Sequence, residues 1–142
     1  MSIRVLLADD HKIVSNGLKS LIKQEPDMEV VGIAEDGEAA LNMTLELEPD
    51  VVVMDIGMPV LNGVEATRRI VHERPQVKVV ALSMHSDRRT VKEMLKAGAI
   101  GYLLKDCAFE ELVLAIRSVV DNRPYLPSYL ADLVSEDNTH RY

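Results

Sequence analysis

A single cysteine, no long apolar run and no basic cluster set the first limits on this chain. Cys107 cannot form an internal disulfide. It reads as an ordinary structural or surface cysteine of a reducing compartment, not a catalytic thiol. No apolar stretch approaches the ~18 residues that suggest a membrane span. Met1-Ser2-Ile3-Arg4 leads straight into the first apolar run, with no room for a signal peptide. The expectation is a cytoplasmic protein with no membrane partner. Basic residues occur in nothing longer than the pairs Arg68-Arg69 and Arg88-Arg89, and the net charge is −7. Nucleic acid binding usually needs a basic face, so this chain alone is a poor candidate for DNA contact.

What is present is one domain's worth of chain. The 142 residues are 47% apolar and 27% charged, and a compact domain of this length buries roughly 70% of its unfolded surface without staples. Short β-branched runs alternate with longer stretches of helical period. The runs are residues 3–8, 30–34, 51–54, 77–82 and 100–104. Between them, Val14, Leu18, Leu21 and Ile22 repeat at helical spacing, as do Leu41 and Leu45. Val64, Thr67, Ile70 and Val71 mark a third helix, closed by Pro75. Val91, Met94 and Leu95 mark a fourth, with Gly98 placed as its cap. Leu112, Ala115, Ile116, Val119 and Val120 form the cleanest stripe. Such β-α alternation predicts an α/β fold, a parallel sheet covered by helices on both faces. The domain is expected over residues 1–121. Residues 122–142 read as a linker or tail, with a short helix carrying Leu130, Leu133 and Val134 and a polar end after it.

The apolar runs end in polar residues suited to phosphoryl chemistry. Residues 3–8 run into Asp9 and Asp10, 51–54 into Asp55, 77–82 into Ser83 and 100–104 into Lys105. In parallel sheets ligands sit beyond the carboxyl ends of the strands, so these groups are expected to converge on one crevice. A carboxylate can act as a nucleophile toward a phosphoryl group. Mg²⁺ prefers hard oxygen ligands and keeps some water, and a lysine neutralises phosphoryl oxygens as a point charge. Asp9, Asp10, Asp55, Ser83 and Lys105 supply these parts.

The stretches Val5-Leu6-Leu7-Ala8-Asp9-Asp10-His11, Met54-Asp55-Ile56-Gly57-Met58-Pro59 with Asn62-Gly63, Ala81-Leu82-Ser83-Met84-His85 and Gly98-Ala99-Ile100-Gly101-Tyr102-Leu103-Leu104-Lys105-Asp106 resemble the receiver domain of bacterial two-component response regulators. The resemblance spans about residues 2–121. Its second and fourth motifs look most like the subfamily with a C-terminal LuxR-type helix-turn-helix domain, absent here. It implies a flavodoxin-like (βα)5 fold with strand order 2-1-3-4-5. Asp55 would accept phosphate from a sensor histidine kinase. Asp10, Asp55 and the Gly57 carbonyl would bind Mg²⁺, with Asp9 acting through water. Lys105 and Ser83 would hold the phosphoryl group, and Tyr102 would change rotamer with Ser83. His85 lies near this site in the sequence, and tuning of dephosphorylation is an alternative to a surface role for it. The implied protein is a switch, not an enzyme. It would control transcription through a DNA-binding domain outside this chain, with a homodimer formed on phosphorylation through the fifth helix or the tail. Asp106 follows the lysine where many receivers have a cis-proline, so a trans bond is expected.

Plainer readings stand beside these. Asp9-Asp10 fits a helix N-cap, Ser83 a turn residue, Lys105 a surface lysine and Tyr102 a core aromatic. Gly57, Pro59 and Gly63 fit turn chemistry alone. His11, His72, His85 and His140 lack metal-ligand spacing and read as surface residues. A stand-alone receiver acting by protein contacts is one alternative function. A Mg²⁺-dependent aspartyl phosphohydrolase is another, but it usually carries an acid two residues after the nucleophile, where this chain has Gly57.

Overall fold

A computed structural model describes residues 2–84 and 87–127. His85, His140 and the tail helix expected around Leu130, Leu133 and Val134 lie outside the described residues. The chain runs β1 (Ile3–Ala8), α1 (Lys12–Lys23), β2 (Met28–Ala34), α2 (Gly37–Leu47), β3 (Val51–Asp55), α3 (Gly63–Glu73), β4 (Lys78–Ser83), α4 (Arg88–Ala97), β5 (Gly101–Leu104) and α5 (Ala108–Val120), with a 3-10 turn at Lys105–Cys107 before α5. Strand starts differ by a residue or two from the apolar runs, because pairing and not hydropathy sets the ends. The strands form one parallel sheet in the order β2-β1-β3-β4-β5. This is the order the resemblance implied.

The two-residue period of the strands sorts their side chains into two cores. Val51 and Val53 face Leu18 and Ile22 of α1 and Leu112, Ile116 and Val119 of α5. Val52 and Met54 face Ala40 of α2, Ala66 and Ile70 of α3, and Val91 and Met94 of α4. The stripe on α5 is therefore core. Truncating any one of its large members to alanine costs about 2–5 kcal/mol.

Three helices start on side-chain caps. Asp36 accepts from Ala39 N–H at 2.7 Å, Asn62 from Glu65 N–H at 2.9 Å and Asp87 from Thr90 N–H at 3.0 Å. Gly98 closes α4 at φ 119°, as its position predicts. Asp9 and Asp10 do not cap α1. The N-cap is His11, whose own side chain makes no capping bond, while Asp9 Oδ1 accepts from the His11 N–H at 2.8 Å. The C-terminus of α2 is held from a distance: Arg4 donates to the carbonyls of Leu47 (2.6 Å) and Glu48 (3.0 Å).

The composition changes after Asp121, yet the backbone stays on the sheet. Tyr125 N–H donates to the Ile100 carbonyl at 3.1 Å, and Tyr102 N–H donates to the Tyr125 carbonyl at 2.8 Å. A short strap thus pairs in parallel along β5. The Tyr125 hydroxyl donates to Glu111 at 2.6 Å. Burial, then the Glu111 carboxylate, pushes its pKa up to about 12. Leu126 packs against the core that contains Tyr102.

Arg117 of α5 donates to Asp27 (2.6 and 3.0 Å) and to Glu25 (2.8 Å), tying α5 to the turn before β2. Those bonds from Arg117 hold the Asp27 carboxyl below its usual value. An acid with a lowered folded-state pKa adds stability that is full above its unfolded value of ~3.9 and lost as pH falls through the folded value. The urea midpoints of the wild type and Arg117→Gln should therefore differ at neutral pH and converge as pH falls through the lowered Asp27 value. A gap that persists unchanged would assign the effect to packing of the arginine stem.

Candidate functional site

Parallel pairing brings the polar strand ends to one edge. Ala8 pairs with Met54, Met54 with Ala81, Asp55 with Leu82, and Ser83 with Leu104. Asp9 and Asp55 both follow the Ala8–Met54 pair, Ser83 follows the partner of Asp55, and Lys105 follows the partner of Ser83, so the four emerge at the same edge in a short stagger. Asp9 and Asp55 are both buried, each 3% exposed, and Asp10 is exposed.

Lys105 reaches back from the 3-10 turn and donates to Asp55 Oδ2 at 3.0 Å. Its Nζ also lies 3.4 Å from Asp9 Oδ2. The other Asp55 oxygen, Oδ1, accepts from Gly57 N–H at 3.1 Å. Burial raises the Asp55 pKa, the Lys105 and Gly57 bonds oppose the rise, and the Asp9 charge adds to it. One ammonium therefore faces two buried carboxylates. Among the described residues, Asp9 Oδ2 is buried with no hydrogen-bond partner. An oxygen in that position suits a hard cation or a water bound to one. Asp9, Asp10, His11 and Asp55 each offer a ligand atom, all within 4.8 Å of one another. The residues present thus fit a divalent ion.

The loop after β3 is pinned by two glycines. A Cβ on Gly63 would lie 2.5 Å from the Asp55 carbonyl oxygen and 2.7 Å from Ile56 Cα. A Cβ on Gly37 would overlap the Leu61 carbonyl. Gly57 is different: a Cβ there would meet only Asp55 Oδ1, at 3.9 Å.

The expected groups do not all occupy equal places. Asp9, Asp10, Asp55 and Lys105 meet at ion-pair or ligand spacing. Ser83 is buried at the end of β4, beside the strand that ends in Asp55. Tyr102 lies in β5, opposite Ala81, and is fully buried in the core that faces α2, α3 and α4. The Lys105–Asp106 bond is trans, since the described residues contain no cis peptide.

His11 joins the cluster, although its spacing from the other histidines pointed to the surface. Its Nδ1 stands 3.0 Å from Asp9 Oδ1 and 3.3 Å from Asp10 Oδ1. The only sequence signal was its place directly after the paired acids at a strand end. Periodicity cannot register a contact with residues on other strands.

Residues 5–117 match the response regulator receiver domain family. The transcriptional regulatory protein DegU of Brevibacillus brevis is 42% identical over 135 residues, covering 94% of this chain and 57% of that protein. LiaR of Bacillus subtilis is 40% identical over 132 residues, covering 93% of this chain and 63% of that protein. The chain thus spans about three fifths of the length of the regulators it matches. A LuxR-family two-component response regulator from Aurantimonas superposes with a TM-score of 0.87 at 33% identity, covering 98% of this chain and 99% of that one. The receiver domain of a NarL regulator from Mycobacterium tuberculosis gives 0.80 at 32% identity, covering 86% and 98%. Its relatives are transcriptional regulators, its sheet has their flavodoxin-like order, and its motifs fall at the acid-lined edge: this chain belongs to the receiver domains of two-component response regulators.

Proposed function

We propose that this domain takes a phosphoryl group on Asp55 from the phosphohistidine of a sensor kinase. The carrying observation is a buried carboxylate held by an ammonium at 3.0 Å beside a second buried acid. A carboxylate oxygen of Asp55 forms the new O–P bond as the P–N bond to the kinase histidine breaks, and the departing nitrogen keeps that electron pair. Catalysis of such a transfer is mostly positioning and charge stabilisation. Lys105 and Ser83 bind the phosphoryl oxygens that arrive. Asp10, Asp55 and the Gly57 carbonyl hold Mg²⁺, with Asp9 acting through water. When bound, the ion neutralises charge on the transferring group.

Phosphorylation adds roughly −1.5 to −2 charge and new acceptors at the strand ends. Ser83 shifts to meet them and Tyr102 changes rotamer with it, biasing two states of the domain. Moving that balance from 1:99 to 99:1 takes about 5.5 kcal/mol of differential stabilisation. The output is transcription, through a DNA-binding domain outside this chain, in a cytoplasmic protein that dimerises on phosphorylation. Residues 1–121 are the receiver and 122–142 lead toward that output. Gly57 brings no carboxylate to the position of an acid/base catalyst, which favours a switch over a turnover phosphohydrolase. Among the described residues no helix is long and apolar enough to cross a membrane.

Incubation with acetyl phosphate and Mg²⁺ should add the mass of one phosphoryl group to the wild type and none to Asp55→Asn. Equal addition to both proteins, or none to either, would overturn the proposal.

A further inference from the structure

His11 has no part in the phosphoryl transfer proposed for Asp55. Its side chain is 59% exposed, so packing does not dictate where the ring points. Its Nδ1 nevertheless stands 3.0 Å from Asp9 Oδ1, 3.3 Å from Asp10 Oδ1 and 3.9 Å from Asp55 Oδ2. In an octahedral site with bonds of ~2.1 Å, neighbouring ligand atoms lie ~3.0 Å apart and opposite ones ~4.2 Å. The separations from Asp10 and Asp55 fall in that span, and Asp9 Oδ1 is close enough to bond a water on the same ion.

A further observation points to a shared ion and not to a chance cluster of acids. Asp9 Oδ2 is buried and lacks a hydrogen-bond partner among the described residues.

We propose that His11 Nδ1 is a direct metal ligand and makes this a mixed nitrogen–oxygen site selective for first-row transition ions over Mg²⁺. Imidazole suits the later members of that row, whereas all-oxygen sites suit Mg²⁺. The inference rests on the same acids being a cation site, and extends that reading from an oxygen cradle to a selective one. Its effect is on which ion occupies the site at limiting supply.

Calorimetric titration of the full chain with Mg²⁺ and with Co²⁺ tests it, using the wild type, His11→Ala and the more conservative His11→Gln. Both substitutions should weaken Co²⁺ binding at least ~10-fold, while Mg²⁺ binding changes less than about twofold. Pulsed electron paramagnetic resonance of the Mn²⁺-loaded wild type should show nitrogen modulation that His11→Ala abolishes. Equal Co²⁺ affinity in all three proteins, or no nitrogen modulation in the wild type, overturns the proposal. Phosphoryl uptake by Asp55 is read by mass in Mg²⁺ alone. If uptake persists while the Co²⁺ arm fails, only the role of His11 falls. If uptake fails while Co²⁺ binds through His11, only the phosphoacceptor reading falls.

Discussion

Alanine at Gly63 lowers folding stability by about 3 kcal/mol and the melting temperature by roughly 10 °C. The added Cβ would sit 2.5 Å from the Asp55 carbonyl oxygen, 2.7 Å from Ile56 Cα and 3.1 Å from the Asp55 carbonyl carbon. All three atoms are main chain, so no flexible side chain can swing away. Relief has to come from moving β3 or the first turn of α3. That movement also breaks the bond from Gly63 N–H to the Ile56 carbonyl, now 2.9 Å. It drags the Asp55 main chain, and with it the carboxylate that Lys105 holds. Gly37→Ala acts on the same loop from its other side, through the Leu61 carbonyl. The control is Gly57→Ala, where the new methyl finds open space and stability should stay within ~0.5 kcal/mol. Scanning calorimetry of the three variants checks the order. A Gly63→Ala protein that melts with the wild type would mean the loop yields freely, and the site's rigidity would need another source.

Replacing Lys105 with methionine should destabilise the metal-free protein by roughly 2–3 kcal/mol at neutral pH. The change keeps most of the side-chain volume and removes the only ammonium that faces Asp9 and Asp55 in the described site. Two buried carboxylates are then left to repel each other. The pH dependence follows from Asp55, whose pKa burial already raises and which loses the opposing Lys105 bond. An acid with a raised folded-state pKa takes up a proton in the folded state first. Its penalty is absent below the unfolded value near ~3.9, grows as pH rises and is complete above the folded value. The deficit of Lys105→Met should therefore shrink as pH falls from neutral toward that unfolded value. Mg²⁺ should restore more stability to the variant than it adds to the wild type, because a divalent ion replaces the missing positive charge. Urea midpoints across pH, with and without Mg²⁺, measure both effects. A deficit independent of pH and of Mg²⁺ would trace the lysine's contribution to its stem and not to its charge.

Hydropathy reads what faces a core, and so the alternation of strands and helices was open to inspection in the sequence. The runs ending at Ala8, Met54, Leu82 and Leu104 located the strand ends, and through them Asp9, Asp55, Ser83 and Lys105. Strand order was not open to the same reading, because period shows which face is buried and not which neighbour a strand chooses. It came through the resemblance. The contacts of four residues escaped altogether, all of them polar or steric. Arg4 bonds carbonyls at the end of α2 from the start of β1. Gly37 and Gly63 matter for what lies against them, and a glycine in a turn looks the same whether or not a backbone lies close. His11 binds acids that include one 44 residues away in sequence, and no local spacing encodes that.

The strap after α5 bears on how the domain keeps to itself. β5 is the last strand of the sheet, and an open last strand is a template on which other chains can pair and aggregate. Here the template is taken by the chain's own continuation, with Ile100 and Tyr102 bonded to Tyr125. A protein cut after residue 121 would hand those two backbone groups to solvent or to a second molecule. The cover over this edge and the bracing of Tyr102 thus rest on the same few residues just after α5.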